Sequence, residues 1–109
     1  MSWEERGEVG NELEQTWVEM KQKMAAFSEL TQQKVPRERV HVDQTLEAMR
    51  HAAFTHDGTT LDQAFATFKE IWESEAFNGD EDLFFSGEEI RPLVMKYWNL
   101  KYMSDPSKF

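Results

Sequence analysis

Cysteine is absent from the 109 residues. That excludes a disulfide framework, a thiolate zinc site and a thiol nucleophile. A long apolar run is also missing: no segment approaches the roughly 18–20 residues that a membrane span needs. Met1-Ser2-Trp3-Glu4-Glu5 carries no basic stretch followed by an apolar run, so no signal peptide is expected and the chain reads as soluble and cytoplasmic. There is no Gly-rich phosphate loop, no nucleophile elbow and no His-Glu-x-x-His pattern. Carboxylates are plentiful, but a general acid needs a pocket that shifts its pKa, and nothing in their spacing marks one. The expectation is a protein that binds rather than catalyses, with no cofactor. No repeat, low-complexity tract or interdomain linker is visible, and nothing alternates at period 2 long enough to require a sheet.

What is present is enough for one domain with a real core. Hydrophobic residues make up 39% of the chain, with eight Phe, four Trp and six Met. Twenty-one acids against twelve bases leave a formal charge of −9. Duplex DNA and anionic membranes would be repelled by most of such a surface, so neither is an expected partner.

Helical periodicity organises the chain. Leu13, Trp17, Met20, Met24 and Phe27 lie on one stripe, and Asn11 with Glu14 forms a capping box ahead of it. Gly7 and Gly10 mark residues 1–10 as a tail or loose turn. Pro36 breaks the first helix at Val35. Val42, Leu46, Met49 and Ala53 form a second stripe, started at Pro36 or capped by Asp43. The segment from Thr55 to Thr59 is a polar loop, with Gly58 where a helix stops. Thr60 and Gln63 suggest a second capping box, followed by Leu61, Phe65, Phe68 and Trp72. Residues 78–89 read as acidic and irregular. Ile90, Leu93, Val94, Tyr97 and Leu100 give a fourth stripe, with Pro92 in its first turn. Helices are therefore expected at about 11–32, 38–55, 60–77 and 89–103, within one helical domain over 11–103 and a short tail from 104 to 109. The fold class is all-α, a compact four-helix bundle or an orthogonal four-helix array, monomeric or paired with a second copy. The expected core is Leu13, Trp17, Met20, Met24, Phe27, Leu46, Met49, Phe65, Phe68, Trp72, Leu93, Val94 and Tyr97.

The acid is unevenly placed. Glu70, Glu73, Glu75, Asp80, Glu81, Asp82, Glu88 and Glu89 fall within twenty residues that contain no Lys or Arg. One reading is a solvated face that aids solubility. The other is a docking face for a basic surface on a partner protein. In that role the module would act as an inhibitor or as a nucleic-acid mimic, its carboxylates standing in for phosphates, a device of small acidic phage and mobile-element proteins. Trp98 lies beside rather than on the fourth stripe, and with Tyr102 it is expected to edge the contact surface. The expected partner-binding set is Glu70, Glu73, Glu75, Asp80, Glu81, Asp82, Trp98 and Tyr102.

The most specific local pattern runs from Asn78 to Glu89. Calcium takes six to eight oxygens, and a twelve-residue loop between two helices offers them from positions 1, 3, 5, 7, 9 and 12. Those positions hold Asn78, Asp80, Asp82, the Phe84 carbonyl, Ser86 and Glu89, and position 8 is apolar as Phe85. The segment resembles an EF-hand over about 20 residues plus the preceding helix. It departs from the pattern at Leu83, where the sixth position has Gly, and at Pro92 within the exiting helix. No second loop of the kind pairs with it. The resemblance implies calcium binding and a calcium-responsive regulator as the alternative function. His41, His51 and His56 add little: Glu47 and His51 sit one turn apart, a spacing more common for a surface contact than for zinc.

Overall fold

The computed structural model describes the backbone of residues 3–104 and the side chains of residues 11–102. Among the described residues there is no strand. Six α-helices follow one another: α1 (Trp3–Lys34), α2 (Arg39–Thr55), α3 (Gly58–Glu73), α4 (Glu75–Asn78), α5 (Glu81–Glu88) and α6 (Ile90–Ser104), with a 3-10 turn at Pro36–Glu38. No helix among the described residues is long and apolar enough to cross a membrane. The all-α bundle read from periodicity is what forms.

α1 is the spine. α2 folds back along it, bringing Asp43 to Ser28 and Phe54 to Trp17. α6 does the same on another side: Glu89, just before it, meets Lys23, and along it Tyr97 meets Trp17 and Lys96 meets Glu12. Both are thus antiparallel to α1. α3 forms a helical hairpin with α2 and reaches α1 through Phe68 against Phe27, ring centroids 5.5 Å apart. α4 and α5 cross from α3 to α6 over one end of the bundle.

Several boundaries differ from the expectation. α1 begins at Trp3, not near Asn11, so residues 3–10 are helix rather than tail. Gly7 and Gly10 each weaken a helix by about 1 kcal/mol relative to Ala. Extending an existing helix, however, fixes only one residue per added hydrogen bond. Asp43 lies inside α2, which Pro36 leads into through the 3-10 turn. The cap of α3 is Asp57, not Thr60: its carboxylate accepts from the Thr60 N–H at 3.2 Å and the Thr60 hydroxyl at 2.7 Å. These two bonds hold the Asp57 carboxyl below its usual 3.8. Gly58 is therefore the first residue of α3 and not the stop of α2. The stop is His56, in the left-handed region at φ 57°. The His56 and Asp57 N–H groups bond back to Ala53 and Ala52, a Schellman closure. The third helix ends at Glu73 rather than near Phe77, because Ser74 is extended and turns both its N–H and its hydroxyl onto the Ile71 carbonyl. α6 includes Ser104, and the rest of the expected tail, residues 105–109, lies outside the described residues.

The core holds Met20, Met24, Phe27, Leu46, Met49, Phe68, Val94 and Tyr97 as expected. Leu13, Trp17, Phe65, Trp72 and Leu93 pack against it half-buried. Phe77 and Leu83, read as a helix end and an irregular segment, are fully enclosed. Thr16 and Thr31 are buried too, their hydroxyls donating to the Glu12 and Phe27 carbonyls one turn back.

Phe27 is 0% exposed and meets Phe68 of α3, Phe77 of α4 and Gly87 of α5. Phe27→Ala is expected to lower unfolding stability in urea by about 3–5 kcal/mol. Gly58→Ala is expected to raise it by about 0.4–1 kcal/mol, since a β-carbon there meets Trp98 at an ordinary 3.7 Å and a negative φ suits any residue. A loss for Gly58→Ala would show that the α2–α3 turn needs glycine.

Candidate acidic face and apolar groove

The residues expected to form one contact surface are divided by the fold. Gly58 opens α3 and sits against Trp98, whereas Glu73 closes α3. The fifteen-residue helical rise between them is about 22 Å. Trp98 and Tyr102 therefore belong to the opposite end of the bundle from Glu70–Asp82, which corrects the placement of Trp98 or Tyr102 at the edge of the acidic run. Trp98 is half-buried and stacks on His56 at 3.7 Å, the two rings 16° from parallel. Tyr102 is 44% exposed, 6.0 Å from His56. Nearby, Lys101 lies 4.1 Å from the centre of the exposed Phe54 ring. The His56 Nε2 is buried with no hydrogen-bond partner among the described residues, and the ring packs by its face on Trp98.

The acidic run itself separates into structural and free charges. Asp80 caps α5, accepting from the Leu83 N–H at 3.2 Å, and lies 2.8 Å from Lys34. Asp82 is 3.5 Å from the same ammonium group, and Glu89 is 2.8 Å from Lys23. The bases missing from residues 70–89 are supplied by α1. The bond to Lys34 holds the Asp80 carboxyl below its usual 3.8, and the bond to Asp80 raises Lys34 above 10.5. Among the described residues Glu73 pairs only with Lys69, at 4.0 Å. Glu70, Glu75, Glu81 and Glu88 are exposed and have no ion pair among the described residues. Phe85, 55% exposed, lies on α5 one turn from Glu81 and Glu88.

The segment expected to be irregular, 78–89, is mostly the helix α5. Asp80 folds as it does because an aspartate before a helix satisfies the first free N–H groups. Asn78 ends α4, while Asp82, Phe84 and Ser86 lie within α5. On a helix, positions two apart are turned by about 200°. The Phe84 carbonyl accepts the Trp72 indole N–H at 3.0 Å. No three His, Asp or Glu among the described residues are grouped to hold a metal ion. His41 is 3.7 Å from Glu38, and Glu47 and His51 are both exposed on α2.

A second feature escaped the sequence reading. α3 and α6 are ring neighbours that hardly pack on each other, and a groove of about 650 Å³ runs between them. Its lining is mostly apolar: Phe65, Phe68, Trp72 and Met95, with the exposed Ala66 and Pro92 at its edges. Its rim carries Asp62 and Lys69 from α3, then Glu88 and Arg91 from the α5–α6 side. Gly87 lets the groove close at one end. A β-carbon there would lie 2.7 Å from the Trp72 ring and 3.1 Å from Phe27, so only glycine lets Trp72 cross α5 and stack on Phe84 at 4.7 Å. The signal that could have revealed the groove is the breadth of the α3 apolar arc. Leu61, Ala64, Phe68 and Ile71 are buried, leaving Phe65 and Trp72 at the edge of the arc, half-exposed.

Comparison with family models, curated proteins and solved structures gives no match.

The Asp80–Lys34 pair sets a pH window. A depressed Asp80 contributes stability above the usual 3.8 that is lost as pH falls through its folded value. A raised Lys34 contributes stability below 10.5 that is lost as pH rises through its folded value. Lys34→Gln is expected to flatten the alkaline limb of Tm against pH and weaken the acid limb. Identical profiles for the two proteins would show the pair to be energetically neutral. Calcium offers a separate check on residues 78–89. Chelator-treated protein titrated to about 1 mM, the range of weak calcium modules, is expected to keep its helical circular dichroism and Tm. A saturable change would mean that α5 rearranges into a chelating loop.

Proposed function

We propose that this protein is an acidic helical binding module that docks on a basic surface of a partner protein. The observation that carries this reading is the set of free carboxylates Glu70, Glu75, Glu81 and Glu88, exposed at one end of the bundle, with the exposed Phe85 one helical turn from Glu81 and Glu88 on α5. Unmatched charges of one sign cost self-repulsion in the free protein. A cationic surface relieves that cost, and an exposed aromatic among the charges supplies an anchor that excludes water. The net charge of −9 extends the attraction beyond the contact itself. Trp98 and Tyr102 fall outside this face. Asp80 and Asp82 are secondary members, because Lys34 already holds them. The module would occlude or recruit the surface it covers, as an inhibitor or a nucleic-acid mimic does.

The test uses a charge reversal that spares the structural acids. Glu70→Lys, Glu75→Lys and Glu81→Lys together are expected to leave Tm nearly unchanged, since none of the three forms an ion pair among the described residues. With a partner captured by cross-linking, association should slow markedly as salt rises from about 0.05 to about 0.5 M, where the screening length shrinks from about 14 to about 4 Å. The triple reversal should slow it as well. Phe85→Ala should speed dissociation while changing stability by no more than about 0.5 kcal/mol. A partner that binds the triple variant as fast as the wild type would show the acidic face to be a solubility device.

A further inference from the structure

We infer that the α3–α6 groove receives a basic amphipathic helix of the partner. This deepens the proposed acidic docking and rests on it for the sign of the partner's charge. The groove has the form of a helix receptor: two roughly antiparallel helices held apart over an apolar floor, with charges only on the rim. From Asp62 to Trp72 it extends ten residues along α3, about 15 Å, which matches about three turns of a bound helix. Phe65, Trp72 and Met95 offer the large, half-exposed surfaces that the apolar side chains of such a helix would cover.

The rim decides which helix. Both of its bases are already engaged: Arg91 lies 5.3 Å from the centre of the Phe65 ring, and Lys69 is 4.0 Å from Glu73. Its acids Asp62 and Glu88 have no ion pair among the described residues. They stand near opposite ends of the groove, because Asp62 is in the second turn of α3 while Glu88 follows Gly87, which touches Trp72. A helix with Leu-like residues at i, i+3, i+4 and i+7 and a Lys or Arg near each end would match both floor and rim. A second copy of this chain is disfavoured, because two chains that each carry −9 repel one another.

The test titrates the full-length protein, with its indole nitrogens labelled, against two synthetic helical peptides. One carries Leu on one face and Lys on the other; the second replaces every Lys with Glu. The four tryptophans give separable indole signals. The Leu/Lys peptide is expected to shift the Trp72 signal saturably while leaving Trp98 in place, and the Leu/Glu peptide is expected to do nothing. Ala66→Gln fills the groove from an exposed helical position that tolerates Gln, and should weaken the Leu/Lys peptide about tenfold or more, roughly 1.4 kcal/mol. Asp62→Lys with Glu88→Lys should reverse the preference between the peptides. If Ala66→Gln binds the Leu/Lys peptide as well as the wild type does, or Trp72 does not respond, the groove assignment is overturned. Should the Glu70/Glu75/Glu81 reversal still abolish binding in that case, acidic docking survives without the groove. Groove binding that ignores that reversal and about 0.5 M salt, where charges are screened, would overturn the basic character of the partner. Self-association that Ala66→Gln abolishes would place a second copy in the groove and overturn the inference.

Discussion

Phe27 is where the long-range packing of this fold converges. It sits on the inward face of α1 with no exposed surface, and α3, α4 and α5 each deliver a contact to it. Helices α4 and α5 are short, four and eight residues, below the length at which an isolated helix is stable in water. They persist because Phe77, Leu83 and Gly87 dock on the spine. Gly87 is the tightest of these constraints. Without a β-carbon it lets the Phe27 and Trp72 rings both close onto one face of α5, and it thereby sets both the core and one end of the surface groove.

This dependence explains why the α3–α6 seam stays open. A regular four-helix bundle closes by packing its first and last neighbours. Here α4 and α5 are interposed between α3 and α6, and they fill the seam only at the Trp72 end. Beyond Gly87, α6 follows α1, contacting it along Trp17, Tyr97 and Lys96, while α3 follows α2. The apolar residues left over on the two sides, Phe65 and Met95 among them, become the groove floor. The groove is thus a consequence of the crossover and not of a missing core residue.

Much of the fold was legible because helix stripes report burial directly. The stripes of α1, α2, α3 and α6 were all readable, as was Pro36 between the first two helices. What escaped depended on competition between local partners. Asp57 and Thr60 both look like caps, and the choice falls on Asp57 because its carboxylate can take both the N–H and the hydroxyl of Thr60. Residues 78–89 read as a loop because acidity and Gly79 outweigh a helix of only eight residues. The helical character of that stretch comes from Leu83 and Gly87 meeting α1, which no local pattern states. The candidate surface fared similarly. The acidic run was plain in the sequence, but its pairing with Lys23 and Lys34 is tertiary, and so is the distance that puts Trp98 and Tyr102 at the other end.

The same pairing gives the acidic run its logic. Eight carboxylates in twenty residues could not all remain unmatched beside a short helix. Lys34 takes the two at the start of α5, one of which also caps it, and Lys23 takes Glu89 beyond its end. The α5 segment is therefore anchored to α1 through ion pairs at both ends and through Leu83 and Gly87 between them. Each pair is partly exposed and individually worth little. Together they fix the helix that carries the unpaired Glu81 and Glu88 on either side of Phe85, with Glu88 at the groove rim. A charge pattern held rigidly loses less entropy on meeting a complementary surface than one carried on a loop. The structural acids thus serve the available ones: by tying α5 to the spine they preorganise the face that a basic partner would meet.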